Sequence, residues 1–466
     1  MQKFIYPELK HINIGGKNNM VEEKEISGED LKKDIFPPIL FDFISNLEAV
    51  RDFVDVISPF LAEHAKQKLM SRKKYLLPIL VLMELIKSGK TTEEISSALE
   101  EMYEKEPEME KVIDFSTIGT EKMGAASYSV SFRMDDKHGK ELTKTLKDFK
   151  IVNIQERHLY RTSLIALTCI AEWFISQLLH EYYKRYPNAV DSADKYFSLN
   201  DLKKFGSITD AERYIVDKKV ENVLREGFES WINFFRDKVN LTMSNIKNDL
   251  PKMIEIFERR NIIVHNAGKI NSIYLSKVDP KLREDLVEGM EISTDLEYLY
   301  PAINAFELNL TIVLAEFWKK LDAKDTMRAK ILNTIAQDEL MEKRWEIAQG
   351  IGHFVMTDKQ MKEREQLRGK INYWESLKRQ GRYDDVREEI EGADFSAKGL
   401  LFQVMRYAII DDSEKFFNLI DEALRSEALK FEKLENWTIF EEMRDNPKYE
   451  SLREKYEMQM EGEGDN

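Results

Sequence analysis

Apolar side chains recur at every third or fourth position along most of this chain, the spacing of helices with one buried face. The clearest segments are 75–87, 92–102, 140–149, 162–183, 210–239, 250–266 and 295–321. Capping boxes, in which a side chain satisfies a free amide at the start of a helix, are formed by Thr91 with Glu94, Thr209 with Glu212 and Thr294 with Glu297. Glycine (19) and proline (11) are scarce. The pattern therefore predicts a fold dominated by α-helices.

Two short segments, 151–154 and 158–162, contain β-branched or aromatic residues and are predicted as strands. Three helices followed by a hairpin is the order of a winged-helix module, and we expect one over 35–158, after a flexible arm at 1–34. The positive and negative side chains of this region nearly balance, so it lacks the basic surface that DNA binding needs. DNA contact is therefore less favoured than oligomerisation or sensing.

Beyond this region we predict a helical bundle over 159–322, a helical region over 323–460 and a short tail at 461–466. Residues 380–386 resemble the turn and second-helix start of a tetratricopeptide repeat. A second helix start at 412–417 follows about 31 residues later, near that family's period of about 34. Residues 437–449 resemble the closing helix of such arrays. The resemblance implies stacked helical hairpins that contact a protein partner; a plain additional helical bundle is the alternative.

The chain has 466 residues, a net charge of -15 and one cysteine, Cys169. A single cysteine excludes a disulfide framework and a cysteine zinc site, and predicts a reducing, cytoplasmic setting. No segment is apolar enough to predict a membrane span. The acidic balance argues against charge-driven coating of nucleic acid. However, residues 323–466 alone hold 32 Asp and Glu against 24 Lys and Arg, so the central bundle is less acidic than the whole.

The chain has seven histidines, and a chemical role for any of them would need suitable neighbouring side chains. His11, His64, His180 and His353 lack a partner pattern, and His353 is predicted in a turn at 350–353. Arg133 and His138 enclose a polar run predicted as a loop. His265 differs because it follows Arg260 and Asn261 on a predicted helix. No histidines and carboxylates cluster at metal-ligand spacing, so the sequence predicts neither a metal nor another cofactor.

Helical geometry places the residues around His265 on definite faces of the 250–266 helix. The predicted apolar stripe consists of Leu250, Met253, Ile254, Phe257 and Val264. Asn261 falls within the stripe, and Arg260 and His265 flank it at about 100° and about 40° from Asn261. Gly268 is placed to end the helix. The helix thus presents donors at one edge of a cleft, although an Arg and a His near a helix C-terminus also favour the dipole without any function.

Arg260, Asn261 and His265 resemble the signature of the HEPN family (higher eukaryotes and prokaryotes nucleotide-binding). Members carry an arginine and a histidine separated by four to six residues, often with an Asn directly after the arginine. The resemblance covers about 160 residues, and only the motif helix is specific. It implies supporting roles for Asn266, for Tyr274 and for Glu172 on the facing first helix. Glu172 is equally well explained as a satisfied surface glutamate.

An arginine and a histidine suit RNA cleavage through the ribose 2′-hydroxyl. Arginine stays protonated and stabilises the charge that develops on phosphorus oxygens, while histidine exchanges protons near neutral pH. The resemblance implies metal-independent cleavage of RNA to a 2′,3′-cyclic phosphate, a homodimer through 159–322 and a role as a regulated toxin or antiviral effector. The alternative is a non-catalytic scaffold that binds a nucleotide or RNA.

Overall fold

The computed structural model describes residues 35–70, 81, 84–85, 88, 92–105, 107, 114–122, 128–133, 136–190, 203–246 and 249–463. Helices dominate this part of the chain, which confirms the predicted α-helical class. The predicted arm at 1–34 lies outside the described residues, as do most of the predicted helix at 75–87 and residues 464–466 of the predicted tail.

The first elements are two helices, a strand pair and a long helix. They are α1 (Phe36–Met70), α2 (Thr92–Lys105), β1 (Asp114–Lys122), β2 (Tyr128–Arg133) and α3 (Asp136–Arg185). The two strands pair antiparallel, with a register irregularity between Asp114 and Gly119. The central elements are α4 (Ile208–Arg225), α5 (Phe228–Asp237), α6 (Leu250–Asn266), α7 (Ser272–Lys277) and α8 (Leu296–Leu321).

The C-terminal region continues as helices and short turns. Its helices are α9 (Thr326–Met341), α10 (Trp345–Thr357), α11 (Glu363–Arg379), α12 (Arg387–Gly392), α13 (Leu400–Ile409), α14 (Ser413–Arg425), α15 (Phe431–Asn436), α16 (Glu441–Arg444) and α17 (Pro447–Glu463). α14 begins with Asp412 as its cap, at the predicted second helix start. The predicted closing helix at 437–449 is wrong: a 3-10 turn, α16 and the start of α17 share those residues.

The chain divides into two compact units. Of the described residues, one unit contains those from 35 to Leu47, those within Leu167–Ile292 and those from Tyr300 to 463; the other contains those within Glu48–Ala166 and Ser293–Leu299. The helix with the Arg260 motif lies wholly in the first unit.

The prediction of two strands at 151–154 and 158–162 is wrong, because both segments lie inside the continuous 50-residue helix α3. Leu142, Thr145, Leu159 and Tyr160 are buried at helical spacing, and Ile151 is exposed on the other side. Burial of one helical face overrides the weak strand preference of β-branched residues. The strand pair lies earlier, between α2 and α3, so the winged-helix interpretation loses its hairpin.

Two predicted capping boxes begin one or two residues away from the real caps. At α4 the cap is Ser207, whose hydroxyl accepts from the Asp210 amide at 3.1 Å. Before α8, Asp295 accepts from the Tyr298 amide at 2.9 Å. In addition, Gly227, with φ of 91°, divides the predicted 210–239 helix into α4 and α5. Glycine adopts this left-handed backbone without steric cost, so the break falls there.

An aromatic cluster fixes the central helices around the motif helix. Phe228 of α5 stacks on Phe257 of α6 with ring centroids 4.8 Å apart, and Trp231 meets the same ring edge-on at 5.1 Å. Phe306 of α8 contacts Phe257 at 5.5 Å. These four rings are nearly fully buried, and offset or edge-on aromatic pairs add to the free energy of burial. The cluster therefore sets where α6 lies against α5 and α8.

In the C-terminal region, α10 packs against both α9 and α11. Gly352 and Gly369 let α10 and α11 approach closely: a Cβ added at Gly369 would lie 3.0 Å from the Gly352 carbonyl oxygen. The predicted turn at 350–353 is wrong, because α10 runs through these residues and His353 lies inside the helix. Gly350 and Gly352 suggested a turn, but a Cβ at Gly350 would meet the Leu308 side chain and one at Gly352 would meet the Gly369 carbonyl oxygen, so both glycines provide space between helices.

One helix of the described chain, Gly139–Arg185, is long and apolar enough to cross a membrane by length and composition. Half of its most apolar stretch is buried inside the protein, and the core helix of a globular fold has the same pattern.

Candidate functional site

The motif helix α6 has the predicted bounds, Leu250–Asn266, and ends where Gly268 was expected to end it. Ala267 and Gly268 both have left-handed backbones, with φ of 54° and 81°. The Gly268 amide donates to the Ile262 carbonyl at 2.9 Å, which closes the helix in the manner of a Schellman motif. The final turn of α6 is thus held in a fixed geometry.

The predicted apolar stripe holds over the first part of α6 and fails in its last turn. Met253 and Phe257 are buried, but Val264 is 47% exposed. In its place Ile262, on the opposite side of the helix, is buried against Ile270 and Tyr274. The segment that follows α6 folds back onto that side, so the end of the stripe, Val264, is left at the surface.

Three of the predicted site residues line one cleft of about 450 Å³: Arg260 and Asn261 from α6 and Glu172 from α3. The first turn of α5 and the end of α4 form another wall, and Lys277 of α7 completes it. Glu172 and Arg260 therefore line the same cleft. The cleft carries charges of both signs, since Glu226, Glu229 and Glu258 also line it.

A chain of hydrogen bonds links the polar groups of this cleft. Arg260 Nη1 donates to Asn261 Oδ1 at 3.2 Å, and Asn261 Nδ2 donates to Glu258 Oε2 at 3.4 Å. Lys277 Nζ donates to Glu258 Oε1 at 2.8 Å. Asn261 is a predicted catalytic residue, and here its amide oxygen accepts from the arginine while its amide nitrogen donates to Glu258.

Arg260 keeps part of its hydrogen-bonding capacity unused. Its Nε is buried and has no hydrogen-bond partner among the described residues. A guanidinium carries five N–H donors in a planar fork, and a buried donor without a partner costs free energy. An anion at the cleft, such as a phosphate, would supply the missing acceptors.

His265 and Asn266 do not line the cleft. Both are exposed at the end of α6. His265 is five residues beyond Arg260, so its side chain points about 140° around the helix axis from the arginine. Asn266 Nδ2 donates to the Lys269 carbonyl at 2.6 Å, a contact that fixes the turn after the helix. One chain therefore does not present Arg260 and His265 to the same bound atom.

Tyr274 is fully buried behind the motif helix, away from the cleft. Its hydroxyl donates to Glu255 Oε1 at 2.6 Å, and Arg259 Nε donates to the same oxygen at 2.7 Å. Burial, together with the Glu255 carboxylate, raises the pKa of Tyr274 above its usual range. The tyrosine is consequently a neutral donor that anchors α7 to α6.

Among the other histidines, His180 has structural partners. Its Nδ1 lies 2.7 Å from the Ser176 carbonyl oxygen, and its Nε2 lies 3.1 Å from Asp217 Oδ1. Arg133 and His138, which share the motif spacing, belong to different elements, since Arg133 ends β2 and His138 is in the first turn of α3. Only the Arg260 segment therefore places an arginine and a histidine of this spacing on one described helix.

Sequence reasoning missed Glu258 and Lys277. Glu258 could have been found, because it precedes Asn261 by three residues and so shares its side of α6. Lys277 is 19 residues beyond Glu258, and only the fold of the segment after α6 brings the two within 2.8 Å. No local pattern in the sequence signals that contact.

Comparisons with family models, with curated proteins and with solved structures find no match to this chain. What the site can do follows from its own groups. The cleft offers a partly buried arginine with an amide beside it, a second arginine, a lysine and four glutamates. These groups suit the binding of a phosphate ester and the stabilisation of charge on its oxygens.

Proposed function

We propose that this protein is a metal-independent endoribonuclease of the HEPN type that acts as a homodimer. The observation that carries the proposal is Arg260, whose buried Nε lacks a hydrogen-bond partner among the described groups although the side chain lines a cleft. In this role Arg260 binds the phosphate under attack and stabilises its additional negative charge. Asn261 and, across the cleft, Glu172 orient the substrate.

The position of His265 supports the homodimer. Its side chain is exposed, its chain neighbour Val264 is 47% exposed, and Ile273 of the following helix is also at the surface (59% exposed). Exposed apolar side chains around a polar group are typical of an association surface. In the dimer, His265 of one copy acts as the acid or base at the Arg260 cleft of the other. The C-terminal helical hairpins provide a surface for a regulatory protein, as expected of a toxin or antiviral effector.

A non-catalytic function is the second candidate, and one observation favours it. Within a single chain, His265 is outside the cleft that holds Arg260. A cleft with an arginine and no titratable histidine binds a nucleotide or RNA without cleaving it, and the chain then serves as a scaffold.

The first experiment separates the two candidates. Wild type and the Arg260→Ala and His265→Ala variants are incubated with total RNA in EDTA, and fragment ends are identified. We expect wild type to produce 2′,3′-cyclic phosphate ends, and each variant to lose at least about 100-fold in rate. Intact RNA with wild type, or undiminished cleavage by His265→Ala, would refute the enzyme.

The second experiment tests the composite site by mixing the two inactive variants. If Arg260 and His265 act from different copies, a mixed dimer regains one of its two sites, and activity returns to about a quarter of the wild-type value. If both residues act from the same copy, mixing restores nothing. The control is Lys238→Ala, which removes an exposed charge at the far end of α5 from the cleft.

A further inference from the structure

The strongest unassigned feature of the cleft is Lys277, the last residue of α7. Its side chain is 54% exposed, and its ammonium group contacts the buried Glu258 carboxylate. Lys277 and Arg260 lie at the two ends of the hydrogen-bond chain that runs through Glu258 and Asn261. One hydrogen-bond network therefore connects two of the three cationic groups that line the cleft.

The other cation that lines the cleft is engaged elsewhere. Arg225 pairs with Glu221 on its own helix, and its side chain is 73% exposed. Lys277 has three N–H donors, and Glu258 occupies one of them among the described contacts. Lys277 is therefore the second positive group, after Arg260, with donors to offer a ligand.

We propose that Lys277 binds the RNA phosphate next to the one held by Arg260, and that this phosphate replaces Glu258 as the partner of Lys277. The inference rests on the proposed function. A cleft of about 450 Å³ is near the lower end of ligand pockets, so it admits one nucleotide at a time and excludes a duplex. The substrate is thus an unpaired RNA segment with phosphates on both sides of the bound nucleotide.

Glu258 is the negative group that the RNA phosphate replaces beside Lys277. In the free protein its carboxylate neutralises Lys277 and orients Asn261, which in turn holds Arg260. Because a carboxylate repels phosphate, Glu258 weakens RNA binding at Lys277 while it keeps the cleft ordered. Removing its charge without changing its shape is therefore expected to tighten binding, and only when Lys277 is present.

The test measures binding of an unpaired 2′-O-methyl oligonucleotide, which cannot be cleaved, over a range of NaCl concentrations. For Lys277→Ala we expect affinity about tenfold weaker, and a slope of log K against log salt that is shallower by about 0.7, as for one lost phosphate contact. Lys277→Arg should keep the wild-type slope. Lys238→Ala, which removes an equal charge away from the cleft, should change neither quantity.

A double-mutant cycle tests this role of Glu258. Glu258→Gln should bind the oligonucleotide several-fold tighter than wild type, and the gain should disappear when Lys277→Ala is added. Weaker binding by Glu258→Gln would mean that the glutamate only supports the fold, and would overturn this exchange.

Two failures are distinguishable. If Arg260→Ala loses cleavage while Lys277→Ala keeps wild-type affinity and slope, the enzyme stands and the role of Lys277 is overturned. If wild type neither binds the oligonucleotide nor cleaves RNA, the proposed function is overturned, and the role of Lys277 with it.

Discussion

Two arginines, one fully buried in the C-terminal region and one partly buried in the central region, differ in their surroundings. In the C-terminal region, Arg328 of α9 is 1% exposed and donates to Asp358 Oδ2 at 3.0 Å and to the Asp322 carbonyl at 2.8 Å. In the central region, Arg260 donates to one neighbouring amide, and its buried Nε has no partner within the described chain. A saturated arginine stabilises the fold, whereas an unsaturated one at a cleft is available to a ligand.

Asp358, which accepts a hydrogen bond from Arg328 in the C-terminal region, also has a second cationic partner. Asp358 is buried, which opposes its ionisation, but hydrogen bonds from Lys319 at 2.9 Å and from Arg328 hold its pKa below the ordinary value. In this network each of the two Asp358 carboxylate oxygens has a cationic partner. The comparison therefore contrasts a charge network that holds the C-terminal fold together with an arginine that we propose binds a ligand.

The largest expected difference in unfolding free energy is between the variants that remove the Arg328 and the Arg260 side chains. Arg328→Ala should lower the free energy of unfolding by about 3–5 kcal/mol, because it removes a buried partner from Asp358. Arg260→Ala should change it by less than about 1 kcal/mol while abolishing RNA cleavage. Denaturant unfolding of both variants checks this contrast. Equal losses of stability would show that Arg260 is also a structural residue.

Glu375 of α11 should contribute to the pH dependence of the C-terminal region, together with Asp338 of α9, whose pKa burial raises to about 6. Burial raises the pKa of Glu375 to about 7, although the Thr438 hydroxyl donates to one of its oxygens. Because the folded pKa is above the unfolded value, the stabilisation is complete below about pH 4.5 and is lost as the pH rises through about 7. Glu375→Gln should remove this loss, a gain on the order of 2–3 kcal/mol at pH 8.

The measurement is thermal unfolding of wild type and Glu375→Gln between pH 5 and pH 8. Glu388→Gln, at an exposed position of the neighbouring α12, is the control and should follow the wild-type curve. If wild type and Glu375→Gln lose stability in parallel above pH 6, the carboxyl is already ionised or does not limit stability.

The close contact of α10 and α11 should tolerate no added atoms. In Gly369→Ala the new Cβ would lie 2.9 Å from the Val355 Cβ and 3.0 Å from a backbone oxygen. Since backbone cannot move aside easily, we expect a loss of about 1–3 kcal/mol in unfolding free energy. Gly392→Ala, where nothing lies within 4 Å, is the matched control and should change stability little. Comparable losses in both would exclude a packing explanation.

The sequence predicted the elements that depend on local pattern. The bounds of α6, the start of α14 at Asp412 and the left-handed end at Gly268 are confirmed, because periodicity and capping are encoded within a few residues. The strands predicted within α3 are wrong, since burial along a 50-residue helix decided a stretch whose local preference was weak.

The sequence predicted only part of the candidate site, because some of its contacts depend on the tertiary fold. Spacing along α6 gives the directions of Arg260, Asn261 and His265 without any tertiary information. The contact between Glu258 and Lys277 needs the fold of the intervening segment, and so does the exposure of Val264. Local periodicity states which residues share a face, but not which element covers that face.

The smallest expected change in unfolding free energy is for Tyr274. This residue is near the motif in sequence, but its hydroxyl already has a hydrogen-bond partner inside the protein. Its hydroxyl and Arg259 share Glu255 as an acceptor, and the ring is fully buried. Tyr274→Phe leaves the Glu255 carboxylate its bond from Arg259, so the loss in unfolding free energy should be about 1 kcal/mol. RNA cleavage should keep wild-type kcat and KM, because the hydroxyl does not reach the cleft. A large fall in kcat with unchanged stability would show instead that the Tyr274 hydroxyl contributes to RNA cleavage.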